Sequence, residues 1–177
     1  MRVTDALENN PRVSLAALEA LHTDVLGWAL SRCDFNLHVA EDLVQQAYME
    51  ILSGRARFDA EASLKTFVFG VVRNLAKSRL RRLTTRLRIL RRHAAETTDD
   101  GVMPPDPDRH DALWQAVMRL PARQRDIVEL VFCRDLTIEE ASRVMGVTTG
   151  TGRVHYDRAK KALRRELGAT LEDRGDA

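Results

Sequence analysis

Apolar residues recur at steps of three and four along most of this chain, which is the spacing of one buried helix face. β-branched residues do not alternate with polar ones over any extended run, and no Asn-Gly or Asp-Gly hairpin turn occurs. The pattern therefore predicts an all-α protein. Three helices in the first half are marked by Leu15, Leu18, Leu21, Val25 and Trp28; by Ala40, Leu43, Val44, Ala47 and Ile51; and by Leu64, Phe67, Val68, Val71 and Leu75, with Ser63 as the N-cap of the third.

The segment from His93 to Asp111 breaks the helical pattern. It contains Pro104, Pro105 and Pro107 with few apolar residues, and this composition predicts a flexible linker. Helical spacing then resumes at Leu113. The predicted organisation is a tail at 1–12, a helical domain at 13–92, the linker at 93–111, a second helical domain at 112–170 and a tail at 171–177.

Charge is distributed unevenly along the 177 residues, although the net charge is only +2. Between Arg55 and Arg92 stand twelve Arg and Lys residues against Asp59 and Glu61. The linker is acidic, with Glu96, Asp99, Asp100, Asp106, Asp108 and Asp111. A basic block followed by an acidic block is typical of a binding surface and a tether.

Several functional classes are disfavoured by what the sequence lacks. No apolar run approaches a membrane span, and the first residues lack the apolar core of a signal peptide, so we expect a cytoplasmic chain without membrane insertion. Cys33 and Cys133 are expected to be ordinary buried or half-buried thiols. The His and acidic residues show no ligand or catalytic spacing, and we therefore expect no metal, no cofactor and no enzymatic activity.

A helix-turn-helix is predicted near the C-terminus. Thr137 to Glu140 fits a capping box, Gly146 suits a left-handed C-terminal position, and a longer helix follows from about Gly150 to Leu167. Gly152, Tyr156, Ala159, Leu163 and Leu167 should face the core. The residues expected to meet DNA are Arg153, Val154, Asp157, Arg158 and Lys161, with Thr148, Thr149 and Thr151 near phosphates. The alternative is a helical hairpin with a solvated basic face.

Aromatic and basic residues are interleaved on the third helix. Away from its apolar stripe it carries Lys65, Phe69, Arg73, Lys77 and Arg81, and this mixture favours binding to unpaired DNA. The alternative assigns Phe69 to the core. On the preceding helix, Asp42, Gln45, Gln46 and Met49 share one polar face that suits either a protein contact or plain solvation.

Taken together, these segments resemble bacterial RNA polymerase sigma factors of the extracytoplasmic-function (ECF) group. In the first domain the resemblance rests on Asp42-Leu-Val-Gln-Gln46 and on the run from Ser63 to Arg82. In the second domain it rests on Leu120-Pro-Ala-Arg-Gln-Arg125 and on the run from Gly146 to Ala159. Gly152 stands where the family has a buried Val, and Tyr156 is expected to fill the resulting gap.

The resemblance implies two domains of the sigma region 2 and region 4 types. The first would bind the β′ clamp helices of core RNA polymerase through the Asp42–Met49 face, and the second would bind the β flap. The minus-ten element would be recognised and melted by Phe58, Asp59, Ala60, Glu61, Ser63, Lys65, Phe69, Arg73, Asn74, Lys77 and Arg81. The recognition helix would read the minus-thirty-five element, and an anti-sigma factor is an expected partner.

Two other functions are alternatives to promoter-specific initiation. A stand-alone helix-turn-helix regulator needs a dimer interface or a ligand pocket, and we expect neither a heptad seam nor a third domain in this sequence. An enzyme acting on nucleic acid needs clustered carboxylates or an activated nucleophile. The sequence favours the sigma factor over both.

Overall fold

The computed structural model describes residues 13–93 and 112–173, which fall into two compact units. Within these ranges the chain is helical, with short connections and no strand. The predicted all-α class is therefore confirmed. The predicted tail at 1–12 and the linker at 93–111 lie outside the described residues, except for His93 at the end of a helix. Of the predicted tail at 171–177, only the helical residues up to Asp173 are described.

The described residues of the first unit form four helices: α1 Leu15–Ala20, α2 His22–Leu30, α3 Leu37–Leu52 and α4 Leu64–His93. A polar side chain caps the N-terminus of three of these helices. The Ser14 side chain accepts a hydrogen bond from the Ala17 amide, Asn36 accepts from Val39 and Ser63 accepts from Thr66. Each cap satisfies an amide at a helix start that has no partner within the helix. The predicted Ser63 cap is thus confirmed.

The core of the first unit is built around Trp28 of α2 and Phe69 of α4. Their rings are stacked with centroids 5.9 Å apart, and the Trp28 indole N–H donates to the Phe69 carbonyl at 3.2 Å. Both side chains are fully buried. The other completely buried apolar residues of this unit are Leu18, Val25, Ala29, Ala40, Ala47, Ile51, Val68 and Val72.

The packed face of α4 differs from the predicted one. Val68, Phe69 and Val72 are fully buried, whereas Phe67 and Val71 are only partly covered. The expected stripe is therefore wrong by part of a turn. The cause is that Phe69 docks on Trp28, a contact with the distant helix α2 that no local spacing encodes.

The second unit contains α5 Ala112–Arg119, α6 Ala122–Val128, a π-helical turn at Glu129–Cys133, α7 Ile138–Met145 and α8 Thr149–Asp173. Its core holds Ile127, Leu130, Ala141, Met145 and Ala159, each at most 1% exposed. Two buried acids, Asp126 and Glu129, were not predicted. The Glu129 carboxylate lies 3.6 Å from the Arg134 guanidinium across the end of the π-helical turn.

The predicted start and end signals of α7 are confirmed. The Thr137 hydroxyl accepts from the Glu140 amide at 3.2 Å, and the Glu140 carboxylate accepts from the Thr137 amide at 2.9 Å. Gly146 adopts the left-handed conformation, with φ 63°, that a C-terminal glycine favours. The Val147 amide then donates to the Ser142 carbonyl at 3.0 Å and turns the chain toward α8.

Close packing of α7 on α8 depends on Gly152. A Cβ at this position would lie 1.9 Å from the Ser142 Oγ and 3.0 Å from its Cβ. The Ser142 hydroxyl is itself fixed because it donates to the Ile138 carbonyl at 2.6 Å. The expectation that Tyr156 fills a gap beside Gly152 is therefore wrong, since Ser142 occupies the space and Tyr156 stacks on Phe132 with centroids 6.0 Å apart.

The two cysteines differ in their exposure. Cys33 is buried, and this burial raises the pKa of its thiol, as expected for a structural cysteine. Cys133 is exposed, so the expectation that it is buried or half-buried is wrong. It ends the π-helical turn next to the exposed Phe132, whereas Glu129 and Leu130 at the start of that turn are buried. Of the described helices, none is both long and apolar enough to span a bilayer.

A substitution at Gly152 tests the α7–α8 contact. Alanine is the better helix former by ~1 kcal/mol, but the clash with Ser142 should outweigh that gain and make Gly152→Ala destabilising by ~1–3 kcal/mol. Hydrogen exchange of the buried α7 amides in the full chain measures the change. In the Ser142→Gly background the same substitution should cost much less, because the obstructing atoms are gone.

Gly150 provides the matched control in the same helix. Its nearest neighbour to an added Cβ is the Thr148 Oγ1 at 4.0 Å, so Gly150→Ala should leave the exchange of α7 unchanged or slower. Equal effects of the two alanine substitutions would contradict the close contact.

Candidate nucleic-acid interface

The outward face of α8 is formed by the residues that the core leaves free. Gly152 and Ala159 are buried against the rest of the unit, and this fixes the rotation of the helix. The opposite side is exposed and consists of Arg153, Val154, Asp157, Arg158 and Lys161, with the Val154 side chain 46% exposed. All five predicted contact residues therefore share one solvent-facing surface, here called the α8 face.

The threonines at the start of α8 also cap the helix with hydrogen bonds. The Thr148 hydroxyl accepts from the Thr151 amide at 3.2 Å and shares a hydrogen bond of 2.9 Å with the Thr151 hydroxyl. Thr148 is thus the N-cap of the helix, which begins at Thr149. Both capping residues remain exposed, so their free hydrogen-bonding capacity is directed toward solvent at the positive end of the helix.

The chemistry of the α8 face suits a DNA major groove. An Arg guanidinium pairs with both acceptors of guanine, a carboxylate such as Asp157 accepts from the cytosine amino group, and an aliphatic side chain such as Val154 contacts a thymine methyl. Arg153 and Lys161 stand one turn to either side of Asp157 and offset its charge.

In the first unit, the loop between α3 and α4 is held by local contacts. Gly54 has φ 73°, and the following Ala56 amide returns to the Glu50 carbonyl at 2.9 Å. The Arg55 guanidinium pairs with the Glu50 carboxylate at 3.0 Å. Farther along, Ala60 has φ 65°, a conformation that is costly for a residue with a Cβ.

Two partly exposed aromatic rings meet where this loop reaches α4. Phe58 and Phe67 have centroids 5.2 Å apart with ring planes at 43°. Beside them the Asp59 carboxylate accepts from the Glu61 amide at 3.0 Å, which orders the exposed tip of the loop. The predicted apolar stripe assigns Phe67 to the core, so the sequence does not identify it as a candidate site residue.

Two predicted minus-ten residues lie on the packed side of α4 instead of the solvent side. Phe69 is fully buried against Trp28, so the expectation that it stacks on DNA bases is wrong. The Lys65 ammonium lies 2.8 Å from the Asp24 carboxylate of α2 and 5.9 Å from the centre of the Phe69 ring. Lys65 therefore serves the packing of α4 on α2.

The opposite side of α4 is basic and polar. Asn74, Lys77 and Arg81 are exposed there at steps of three and four residues, and Arg73 is half-buried beside them. With Phe58, Phe67 and the loop residues Asp59, Ala60, Glu61 and Ser63, they form one continuous stretch of chain, here called the loop–α4 surface. It combines cations, which can contact the phosphates of a single strand, with aromatic rings, on which unpaired bases can stack.

The predicted polar face of α3 is also exposed. Asp42, Gln45 and Gln46 are open to solvent, and the Met49 side chain is 59% exposed. A solvent-facing methionine among amides is a feature of protein-binding surfaces. Among the described residues no group of three His, Cys, Asp or Glu side chains is arranged to hold a metal ion.

These surfaces define a helical DNA-binding protein with two separate candidate nucleic-acid surfaces, and known families share the arrangement. Residues 17–86 match the family model Sigma-70 region 2, and residues 110–163 match Sigma-70, region 4. The chain is 32% identical over 124 residues to the ECF RNA polymerase sigma factor SigF of Caulobacter vibrioides, covering 70% of this chain and 68% of that one. It is 24% identical over 144 residues to the ECF RNA polymerase sigma factor SigW of Bacillus subtilis, covering 75% and 77%.

A solved structure has the same fold. The sigma factor RpoE of Bartonella quintana, determined in complex with the anti-sigma factor NepR, matches with a TM-score of 0.66 and 22% identity over 85% of this chain and 94% of that one. The chain belongs to the ECF RNA polymerase sigma factors. It is a transcription initiation factor, and the alternative of a stand-alone regulator is not supported.

Proposed function

We propose that this sigma factor recognises its promoter with two separate surfaces and carries no bond-making chemistry of its own. The α8 face reads the upstream minus-thirty-five element, and the loop–α4 surface binds the melted minus-ten element. The observation that carries this proposal is the exposure of Arg153, Val154, Asp157, Arg158 and Lys161 on one side of a helix whose rotation is fixed by Gly152 and Ser142.

Melting is assigned to the aromatic pair at the start of α4. Extruding a base from a duplex costs a few kcal/mol, and a pocket that stacks and hydrogen-bonds the base recovers this energy. Phe58 and Phe67 supply partly exposed rings, and Asp59 to Ser63 supply polar groups beside them. Asn74, Lys77 and Arg81 continue along α4 as a track for the strand's phosphates.

Protein partners are assigned to separate surfaces. The exposed α3 face of Asp42, Gln45, Gln46 and Met49 is proposed to contact the β′ clamp helices of core polymerase, and the second unit the β flap. This places the chain in the cytoplasm, where the polymerase acts. An anti-sigma factor is a further proposed partner, since the similar RpoE structure was determined in complex with the anti-sigma factor NepR. The similar CnrH structure was determined in complex with the cytosolic domain of CnrY.

Charge reversal on α3 tests the polymerase contact. The double substitution Gln45→Lys and Gln46→Lys places two cations in the proposed interface and should abolish co-purification with core polymerase. Both side chains are exposed, so helical content should be unchanged. Thr84→Lys with Thr85→Lys, on exposed positions of α4, forms the control and should still co-purify. Retained binding by the first variant would refute the assignment.

Base preference tests the α8 face. With the chain bound to core polymerase, selection from a randomised upstream element should show that Arg158→Ala costs ~1–3 kcal/mol on the preferred sequence and flattens one position. Asp157→Ala should relax selectivity at one C·G pair, even if total affinity rises when the negative charge is removed. Thr149→Ala should weaken all sequences about equally, because a phosphate contact carries no base identity.

Unchanged preferences in both the Arg158 and the Asp157 variants would show that a different side of α8 faces DNA. A matched exposed residue on the same helix, Arg165, serves as the control and should have no effect on selectivity.

A further inference from the structure

The C-terminal half of α4 extends beyond the core of the first unit. Phe69 and Val72 are buried, but every residue from 79 to 85 is exposed, and even Leu80 is 62% exposed. The helix continues in this way to His93. Because little of the core packs against residues 79–85, this half of the helix should open locally at a lower free energy than the packed half.

Two threonines stand side by side in the exposed half of α4. Thr84 and Thr85 are both exposed, and a β-branched threonine is a weaker helix former than the leucines and arginines around it. The Thr84 hydroxyl donates to the Arg81 carbonyl of its own helix at 2.9 Å. Local opening of the helix would break this bond and make the hydroxyl accessible to an enzyme.

The residues that precede Thr84 form a pattern of charge that the chain does not repeat. Arg81 and Arg82 stand three and two positions before Thr84, and no other serine or threonine in the sequence has arginine at both of these positions. Protein kinases select their substrates by charge patterns of this kind, because cations near the hydroxyl pair with acidic groups of the enzyme. Thr84 therefore combines an exposed hydroxyl with a substrate-like sequence.

We propose that Thr84 is a phosphorylation site for an arginine-directed serine/threonine protein kinase, with ATP as the phosphate donor. The Thr84 oxygen attacks the γ-phosphorus of ATP and forms a new O–P bond. The bond from that phosphorus to the oxygen it shares with the β-phosphorus breaks, so ADP leaves, and the hydroxyl proton passes to a base of the kinase.

A phosphate on Thr84 would change the charge of the loop–α4 surface. Thr84 follows Lys77 by seven residues and Arg81 by three, so helical spacing places it on the same side of α4 as both cations. The phosphate carries about two negative charges and can pair with the Arg81 guanidinium one turn earlier. It would withdraw Arg81 from a DNA strand and repel the phosphates of that strand. Phosphorylation should therefore reduce promoter opening; this consequence rests on the proposed function, whereas the modification itself does not.

Two other hydroxyl groups meet the requirements less well. Thr137 has Arg134 three positions before it, but an aspartate stands at the second position, and the Thr137 hydroxyl is engaged with Glu140 at the start of α7. Thr85 is exposed but has leucine at the second position, where Thr84 has arginine. Thr84 is therefore the acceptor that the charge pattern favours.

Phosphorylation of the full chain in solution tests the site. The probe is ATP with the catalytic subunit of cyclic-AMP-dependent protein kinase, which selects arginines two and three positions before the hydroxyl. Mass spectrometry should find the phosphate on Thr84, and Thr84→Ser should retain it. Arg81→Gln with Arg82→Gln should slow the reaction roughly tenfold or more, because two charge-assisted contacts with the kinase are lost.

Arg164→Gln with Arg165→Gln is the matched control for the loss of two charges. These arginines form an exposed pair on α8, and their substitution should leave the rate at Thr84 unchanged. Absence of phosphate from Thr84, or an unchanged rate in the Arg81/Arg82 variant, would overturn the proposal.

Promoter opening by the phosphorylated chain, bound to core polymerase, tests the consequence. Permanganate reactivity of the minus-ten thymines should fall roughly tenfold or more relative to the unmodified chain, while co-purification with core polymerase stays unchanged. The Thr84→Ala chain, treated with kinase in the same way, should open the promoter normally. Full opening by chains that carry phosphate on Thr84 would overturn the regulatory role.

Lys77→Gln with Arg81→Gln in the unmodified chain separates this inference from the proposed function. Normal opening by that variant would refute the assignment of α4 as the track for the DNA strand. Impaired opening by the variant, together with full opening by the phosphorylated chain, would refute the regulatory role of Thr84 and leave the proposed function standing.

Discussion

The stacking of Phe69 on Trp28 fixes the rotation of α4, and most of the first unit follows from that rotation. The contact joins ring stacking at 5.9 Å to a hydrogen bond from the Trp28 indole to the Phe69 carbonyl, so both the side chain and the backbone of α4 are held. With Phe69 buried, Asn74, Lys77 and Arg81 must face solvent, and Phe67 must lie beside Phe58. The same rotation leaves Leu80 and Leu83 exposed farther along α4.

In the second unit the rotation of α8 is likewise fixed by packing, but there by a small residue, Gly152, instead of a large one. Gly152 allows α8 to approach α7 so closely that the Ser142 hydroxyl occupies the place of a side chain. The helix is then held with its buried side at Gly152 and Ala159, and the five polar and aliphatic residues of the α8 face are left together on the outside. In both units, packing on one side of a helix determines which residues are available on the other.

Local sequence signals predicted those parts of the fold that local physics controls. The Thr137–Glu140 capping box, the left-handed Gly146 and the Ser63 cap each depend on hydrogen bonds within a few residues, and each is present. The choice between Phe67 and Phe69 as the core residue depends on Trp28, about forty positions away, and spacing along α4 could not decide it. Ser142 and Gly152 likewise meet only once α7 and α8 are packed, so the partner of the glycine could not be identified from its neighbours in sequence.

Promoter opening by the reconstituted polymerase tests most directly whether this rotation of α4 serves the sigma factor's function. Permanganate reactivity of thymines in the minus-ten element reports unpaired bases, with the chain alone as the baseline. If Phe67 faces the melted strand, Phe67→Ala should reduce opening roughly tenfold, as expected for loss of a base–aromatic stack of ~1–3 kcal/mol. Phe67→Trp should preserve opening, and both variants should still bind core polymerase. Opening by Phe67→Ala at the level of the unchanged chain would contradict the assignment of this surface to melted DNA.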